Sequence, residues 1–184
     1  TVTWSVSNSD IAVINQSGIL APGKNGTVDV TATANDGSGV VGTLTIAISG
    51  VADVGDGMIV NTENDILAAI AVASPGDVIY VRGGTYSFSS SIRMSAFGQE
   101  GNMISFLDYP GDERPVFDFS SMLEDGSNRG IRLSGDYWHV KGIEIYKAGD
   151  NGMHISGSNN LIENCAFYEN ADTGLQIGNG GANN

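Results

Sequence analysis

Apolar and polar positions alternate in short runs over the first fifty residues: Val2/Trp4/Val6, Ile11/Val13, Val28/Val30/Ala32 and Leu44/Ile46/Ile48. Turn-forming clusters separate the runs, at Ser7-Asn8-Ser9-Asp10, Gly23-Lys24-Asn25-Gly26 and Asn35-Asp36-Gly37-Ser38-Gly39. Period-two alternation with closely spaced turns predicts a small antiparallel β-sandwich over residues 1–50. A helix is predicted next, at about residues 63 to 73. Thr62 and Asp65 make a capping-box-like start, Ile66, Leu67, Ile70 and Ala73 share a face, and Pro75-Gly76 ends it. Short strands follow with no second helix, so residues 51–184 are read as a separate domain.

That domain repeats itself. Placing residue n above residue n+22 aligns VKGIEIYKAGDNGMHISG (140–157) with IENCAFYENADTGLQIGN (162–179). Val140 falls on Ile162, Ile145 on Phe167, Tyr146 on Tyr168, Asp150 on Asp172, Gly152 on Gly174 and Met153 on Leu175. One step back, Gly130, Ile131 and Leu133 fall under Gly152, Met153 and Ile155. A fixed period built of strands means stacked coils, and this period is too short for a propeller blade. The reading is an all-β chain: a sandwich, then the coils of a parallel β-helix about 4.8 Å apart, with the one helix capping the open end of the stack. Asn183-Asn184 repeats Asn159-Asn160, which opened the previous coil. The chain is therefore expected to be the N-terminal part of a longer β-helix, truncated at its C-terminus.

Composition narrows the partners. The 184 residues carry 8 Lys+Arg against 21 Asp+Glu, a net charge of −13, which repels nucleic acid and anionic membranes. No apolar run reaches the length of a membrane span. The single Cys165 falls on the inward position of Ile143 and reads as a core residue. Oligomeric state cannot be read from these features.

Two rows of equivalent positions could carry chemistry. Asn128, Asp150 and Asp172 occupy one corner of consecutive coils. Asp150 and Asp172 would then lie roughly 5 Å apart, a spacing that calls for a cation, and Ca²⁺ takes six to eight oxygen ligands. The alternative is that each Asp caps its own turn before Gly152 or Gly174. Arg132, His154 and Gln176 form an outward row across parallel strands, either a groove for a long polymer or a solvated sheet face. Lys141 and Lys147 fall on Glu163 and Glu169, as cross-coil ion pairs would, while His139 has no evident partner.

Two resemblances add to this reading. The segment TWSVSNSDIAVINQSGILAPGKNGTVDVTATANDGSG resembles a bacterial immunoglobulin-like domain of group 2, which implies a spacer or adhesive module of secreted and surface proteins. From about residue 58 the chain resembles right-handed β-helix polysaccharide lyases, most closely pectate lyases of polysaccharide lyase family 9. The resemblance is carried by AAIAVASPGDVIYVRGGTYSF, PGDERPVFDFS and GDYWHVKGIEIYKAGDNGMHISGSNNLIENCAFYENADTGLQIG. It implies an extracellular bacterial enzyme that cleaves an acidic, uronate-containing polysaccharide by β-elimination. In that family an Asp cluster holds Ca²⁺ and a Lys removes the proton on C5. Asp172 matches the first calcium-site Asp, whereas Asp150 is offered by ladder geometry alone. The Lys base is expected beyond Asn184, so no catalytic residue is assigned, and this chain alone is expected to be inactive. A non-catalytic carbohydrate-binding or adhesive protein and a β-helix glycoside hydrolase are the competing classes.

Overall fold

A computed structural model describes residues 1–50, 54–178 and 180–184. The chain divides into two compact units, Thr1–Gly55 and Asp56–Asn184.

In the first unit Val2–Val6, Gly26–Ala34 and Val41–Ile48 form an antiparallel sheet with Gly26–Ala34 at its centre, and Ala12–Ile14 pairs antiparallel with Leu20–Pro22. Val28 and Val30 are buried, as their alternation requires. The Ile11/Val13 run is out of phase by one residue. Ala12 is the buried position and Val13 faces solvent, because in a three-residue strand side chains alternate strictly and the small Ala12 is the one that fits inside. Leu44 is likewise exposed. Trp4 is half-buried and lies over Gly18, where a Cβ would sit 3.1 Å from the indole.

The second unit is a stack of coils with three parallel sheets. The first sheet runs Leu161–Glu163, Trp138–Lys141, Ile104–Asp108, Val78–Val81, Met58–Val60. The second runs Ala166–Tyr168, Glu144–Tyr146, Val116–Asp118, Thr85–Ser87. The third runs Leu175–Ile177, Met153–Ile155, Ile131–Leu133, Ile92–Met94. Every inward side chain therefore stacks on its counterpart one coil away. Ile79, Phe106, Val140 and Ile162 form one such column. Tyr86, Phe117, Ile145 and Phe167 form the second, and Ile92, Ile131, Met153 and Leu175 the third. The 22-residue register is thus observed in the strand pairing.

The corners repeat as well. Lys147 and Glu169, 22 residues apart, both take left-handed backbone (φ 54° and 53°), as do Tyr137 and Asn159 (φ 55° and 58°) and the pair Gly142 and Asn164 (φ 70° and 54°). A single left-handed residue between extended segments turns the chain sharply, which closes each coil without a long loop. Inside the turn before the first sheet, the Trp138 N–H donates to Asn160 Oδ1 at 2.8 Å, and the Asn160 N–H donates to Asn184 Oδ1 at 2.9 Å. Asn160 Nδ2 donates on to the Gly135 carbonyl at 3.2 Å. Asn160 and Asn184 are therefore successive rungs of one amide ladder, of which Asn160 is buried and Asn184 exposed.

The helix spans Glu63–Val72, with Thr62 as N-cap accepting from the Asp65 N–H. It buries Ile66, Ala69 and Ile70 in the same apolar cluster as the coil interior. Leu67 is turned outward and 42% exposed, because the buried stripe at 66, 69 and 70 leaves position 67 off the contact face.

Candidate functional site

The site is built on the outward face of the third sheet and the turn that feeds it. Each strand there has three residues with the first and third directed inward, so the middle residue faces out. Strand pairing sets Arg132 beside His154 and His154 beside Gln176, the row expected from the repeat. It also sets Arg93 beside Arg132, which extends the row by one coil. Arg93 lies 39 residues before Arg132, off the 22-residue period, because the intervening coil carries a longer excursion between its strands. The signal was the tripeptide match of Ile92-Arg93-Met94 to Ile131-Arg132-Leu133.

Arg129, also missed by the repeat, joins this row from the turn. Together Arg93, Arg129, Arg132 and His154 line a pocket of about 260 Å³. Its remaining wall is Ser95, Ser134 and Ser156, each two residues beyond a member of the row. Burial, then the neighbouring Arg129 and Arg93, push the Arg132 guanidinium below its ordinary pKa, with Asp150 opposing. The same causes act on His154: burial first, then Arg129 and Arg132, hold its imidazole below its usual value. Of the three arginines only Arg129 has an ion-pair partner among the described residues, in a chain whose overall charge is −13.

The three corner positions Asn128, Asp150 and Asp172 precede their third-sheet strands by the same three residues, and the Asp172 N–H donates to the Asp150 carbonyl at 3.2 Å. Their side chains nevertheless do different things. Asn128 Nδ2 donates to the Leu123 carbonyl at 2.9 Å, within its own loop. Asp150 pairs with Arg129 at 3.3 Å, and Arg129 Nε also donates to Asn151 Oδ1 at 3.2 Å. Asp172, exposed, accepts from Asn151 Nδ2 at 2.9 Å. Asp150 is thus neutralised by a guanidinium, and Asn151 links it sideways to Asp172.

This arrangement bears on a calcium ion. Among the described residues no three of His, Cys, Asp and Glu come together as a metal cluster. Two carboxylates, one already paired with Arg129, fall short of the six to eight oxygens that Ca²⁺ takes. The described residues do not by themselves make a calcium site.

Other candidate residues find structural roles. Lys141 pairs with Glu163 at 3.1 Å and Lys147 with Glu169 at 3.5 Å, across neighbouring coils. His139 does have a partner, Glu163, at 3.0 Å, reached because the first sheet sets it one coil below that strand. Cys165 packs against the apolar cluster, and burial pushes its thiol pKa up, away from nucleophilic use.

The second unit is a parallel β-helix with a charged row on the outward face of one sheet. The chain belongs to the Pel9A-like family, described as a right-handed β-helix region, whose match covers residues 44–184; residues 1–44 match the bacterial Ig-like domain of group 2. Pectate lyase L of Paenibacillus polymyxa is 48% identical over 113 residues, covering 60% of this chain and 25% of that protein. Pectate lyase L of Dickeya chrysanthemi is 38% identical over 132 residues, covering 67% and 31%. The crystal structure of pectate lyase Pel9A superposes with a TM-score of 0.58 at 37% identity, covering 62% of this chain and 30% of that one. The chain thus spans about a quarter to a third of the length of these three relatives. Among the described residues no helix is long and apolar enough to cross a membrane.

Proposed function

We propose that the protein carrying this chain is a secreted, Ca²⁺-dependent lyase that cleaves a uronate-containing polysaccharide, pectate, by β-elimination. One observation carries the reading: a continuous outward row, Arg132, His154 and Gln176, crosses neighbouring coils beside Asp172 in a chain whose family relatives are named pectate lyases. A 1,4-linked sugar chain advances by about one coil spacing per residue, so one side chain per coil matches one sugar per coil. In the proposed role Arg132 supplies charge to a uronate carboxylate, while neutral His154 and Gln176 hydrogen-bond hydroxyls and hold the polymer in register. The reaction removes the proton on C5, expels the O4 leaving group and places the electron pair in a C4–C5 double bond. Calcium, when bound, offsets the charge of both polymer and protein and polarises the uronate carboxylate. Asp172 is the ligand this chain supplies; Asp150 would have to release Arg129 to join it.

The test uses the protein with whatever flanking sequence its gene encodes, on polygalacturonate. Calcium-dependent ultraviolet absorbance from the unsaturated product supports the lyase, and Asp172→Asn is expected to lower it by at least about tenfold. New reducing ends without absorbance would establish a hydrolase instead.

A further inference from the structure

We infer that the pocket of Arg93, Arg129, Arg132 and His154 is a metal-independent subsite for the free carboxylate of a uronate residue, one to three coils away from Asp172. The inference rests on the acidic-polysaccharide reading above and adds to it a second anchoring point that needs no cation.

Three observations support it. The chain has 8 Lys+Arg in all, and three of them, Arg93, Arg129 and Arg132, converge on this one pocket. Random placement on an acidic surface would disperse them or pair them with carboxylates. Only Arg129 has an ion-pair partner, Asp150, so among the described residues Arg93 and Arg132 are left without one. Next, Arg132 Nε is buried and has no hydrogen-bond partner among the described residues, although a terminal nitrogen of the same guanidinium is held by the Ser127 carbonyl. A buried, unmet donor on a charged group is costly, and a bound anion removes that cost. Third, the wall carries donors and acceptors fit for a sugar: the hydroxyls of Ser95, Ser134 and Ser156 alternate with the cationic row. The pocket, at about 260 Å³, exceeds the share of a single water, about 30 Å³, by enough to take a ring substituent and its carboxylate.

Arg129 is the positioning residue. Asp150 and Asn151 hold its guanidinium from the turn side at 3.3 and 3.2 Å, fixing it against the row. Asp150 thereby has a use that is separate from metal binding.

The site predicts a preference that a cation bridge would not produce in the absence of cations. In buffer stripped of divalent metals, calorimetric titration of the 184-residue chain with trigalacturonate should give saturable binding. The fully methyl-esterified trimer should bind at least about tenfold more weakly, the scale of one charge-assisted hydrogen bond. Arg93→Gln, at an exposed position, should weaken the acid by a similar factor, and so should Arg132→Gln, each with circular dichroism and melting that match the parent. Arg114→Gln, at a half-buried arginine bonded to Asn164 elsewhere, should leave binding unchanged. Equal affinity for acid and ester, no binding without metal, an equal loss in Arg114→Gln, or inorganic phosphate binding as tightly as the trimer would each overturn the subsite. The lyase reading stands or falls separately on ultraviolet absorbance, so metal-free binding without turnover would keep the subsite and discard the lyase.

Discussion

The two units use the same period-two alternation and obtain very different interiors from it. In the sandwich unit Ala12, Val28 and Val30 are the fully buried apolar side chains, while Val13, Ile19, Val40, Val41 and Leu44 stay largely exposed. In the coil stack nearly every inward strand residue from Ile79 to Ile155 is buried, including Trp138, Phe106 and Phe117, and Phe88 and Phe119 are buried just beyond their strands. The difference lies in how many neighbours a strand has. A sandwich strand buries one face against one opposing sheet, whereas an inward residue of a coil is packed from above, from below and from the two other sheets. Stacking turns a modest apolar content into a continuous core, and that core fixes where the charged row sits.

The chain's two tryptophans fall one in each unit, so the comparison can be broken by experiment. The largest effect is expected from Ile145→Ala. Ile145 is fully buried between Phe117 and Phe167, and its truncation should cost the stack about 2–5 kcal/mol. Urea unfolding followed by Trp138 fluorescence in a Trp4→Phe background measures it. A loss below about 1 kcal/mol would mean that the column collapses around the gap and the stack is less closely packed than its burial implies.

A smaller effect is expected from Asn160→Ala, which leaves the Trp138 N–H and the Gly135 carbonyl without their amide partner. The expected loss is about 1–3 kcal/mol, with the Trp138 amide among the first to lose protection from hydrogen exchange. Unchanged protection would show that the amide ladder is replaceable by solvent. In the sandwich, Val28→Ala should cost only about 1–2 kcal/mol, read by Trp4 fluorescence with Trp138 replaced by Phe. A larger loss there than in Ile145→Ala would invert the comparison.

The legibility of the sequence follows the same division. The coil register was readable because identical packing demands recur every 22 residues, so Val140 over Ile162 and Met153 over Leu175 could be paired without a structure. The helix is legible from its cap, but its apolar residues at 66, 67, 70 and 73 do not say which stripe meets the core, and Leu67 faces outward. Val13 failed for a related reason: a three-residue strand gives too few alternations to fix its phase. Arg93 escaped because it lies off the period, and Arg129 because its equivalents one and two coils on, Asn151 and Thr173, carry no charge. One sits beyond a lengthened coil and the other in a turn, and a charged side chain's partner is set by spatial neighbours that the repeat does not encode. The corner row shows this most directly, since Asn128, Asp150 and Asp172 share a backbone position and yet bond a loop carbonyl, an arginine and an asparagine.

The mildest effect sharpens the comparison at the row where Arg93 and Arg132 stand without an ion-pair partner among the described residues. Burial, Arg129 and Arg132 all disfavour a proton on His154, and Asp150 opposes them more weakly; Gln176 on the next strand is uncharged. Its imidazole should titrate below the ordinary value of about 6.5 in a carbon-detected NMR titration. Because the folded value is depressed, the unfolded chain binds more protons as pH falls through that range. Stability is then lost as pH drops past the unfolded value and levels off below the folded one. Removing a neighbouring positive charge should relieve the shift, so Arg132→Gln is expected to move the His154 titration upward. Trigalacturonate, by bringing a carboxylate beside the imidazole, should do the same in the parent chain. A His154 titration unmoved by either change would mean that burial alone sets it and that the arginine row exerts no field at that coil.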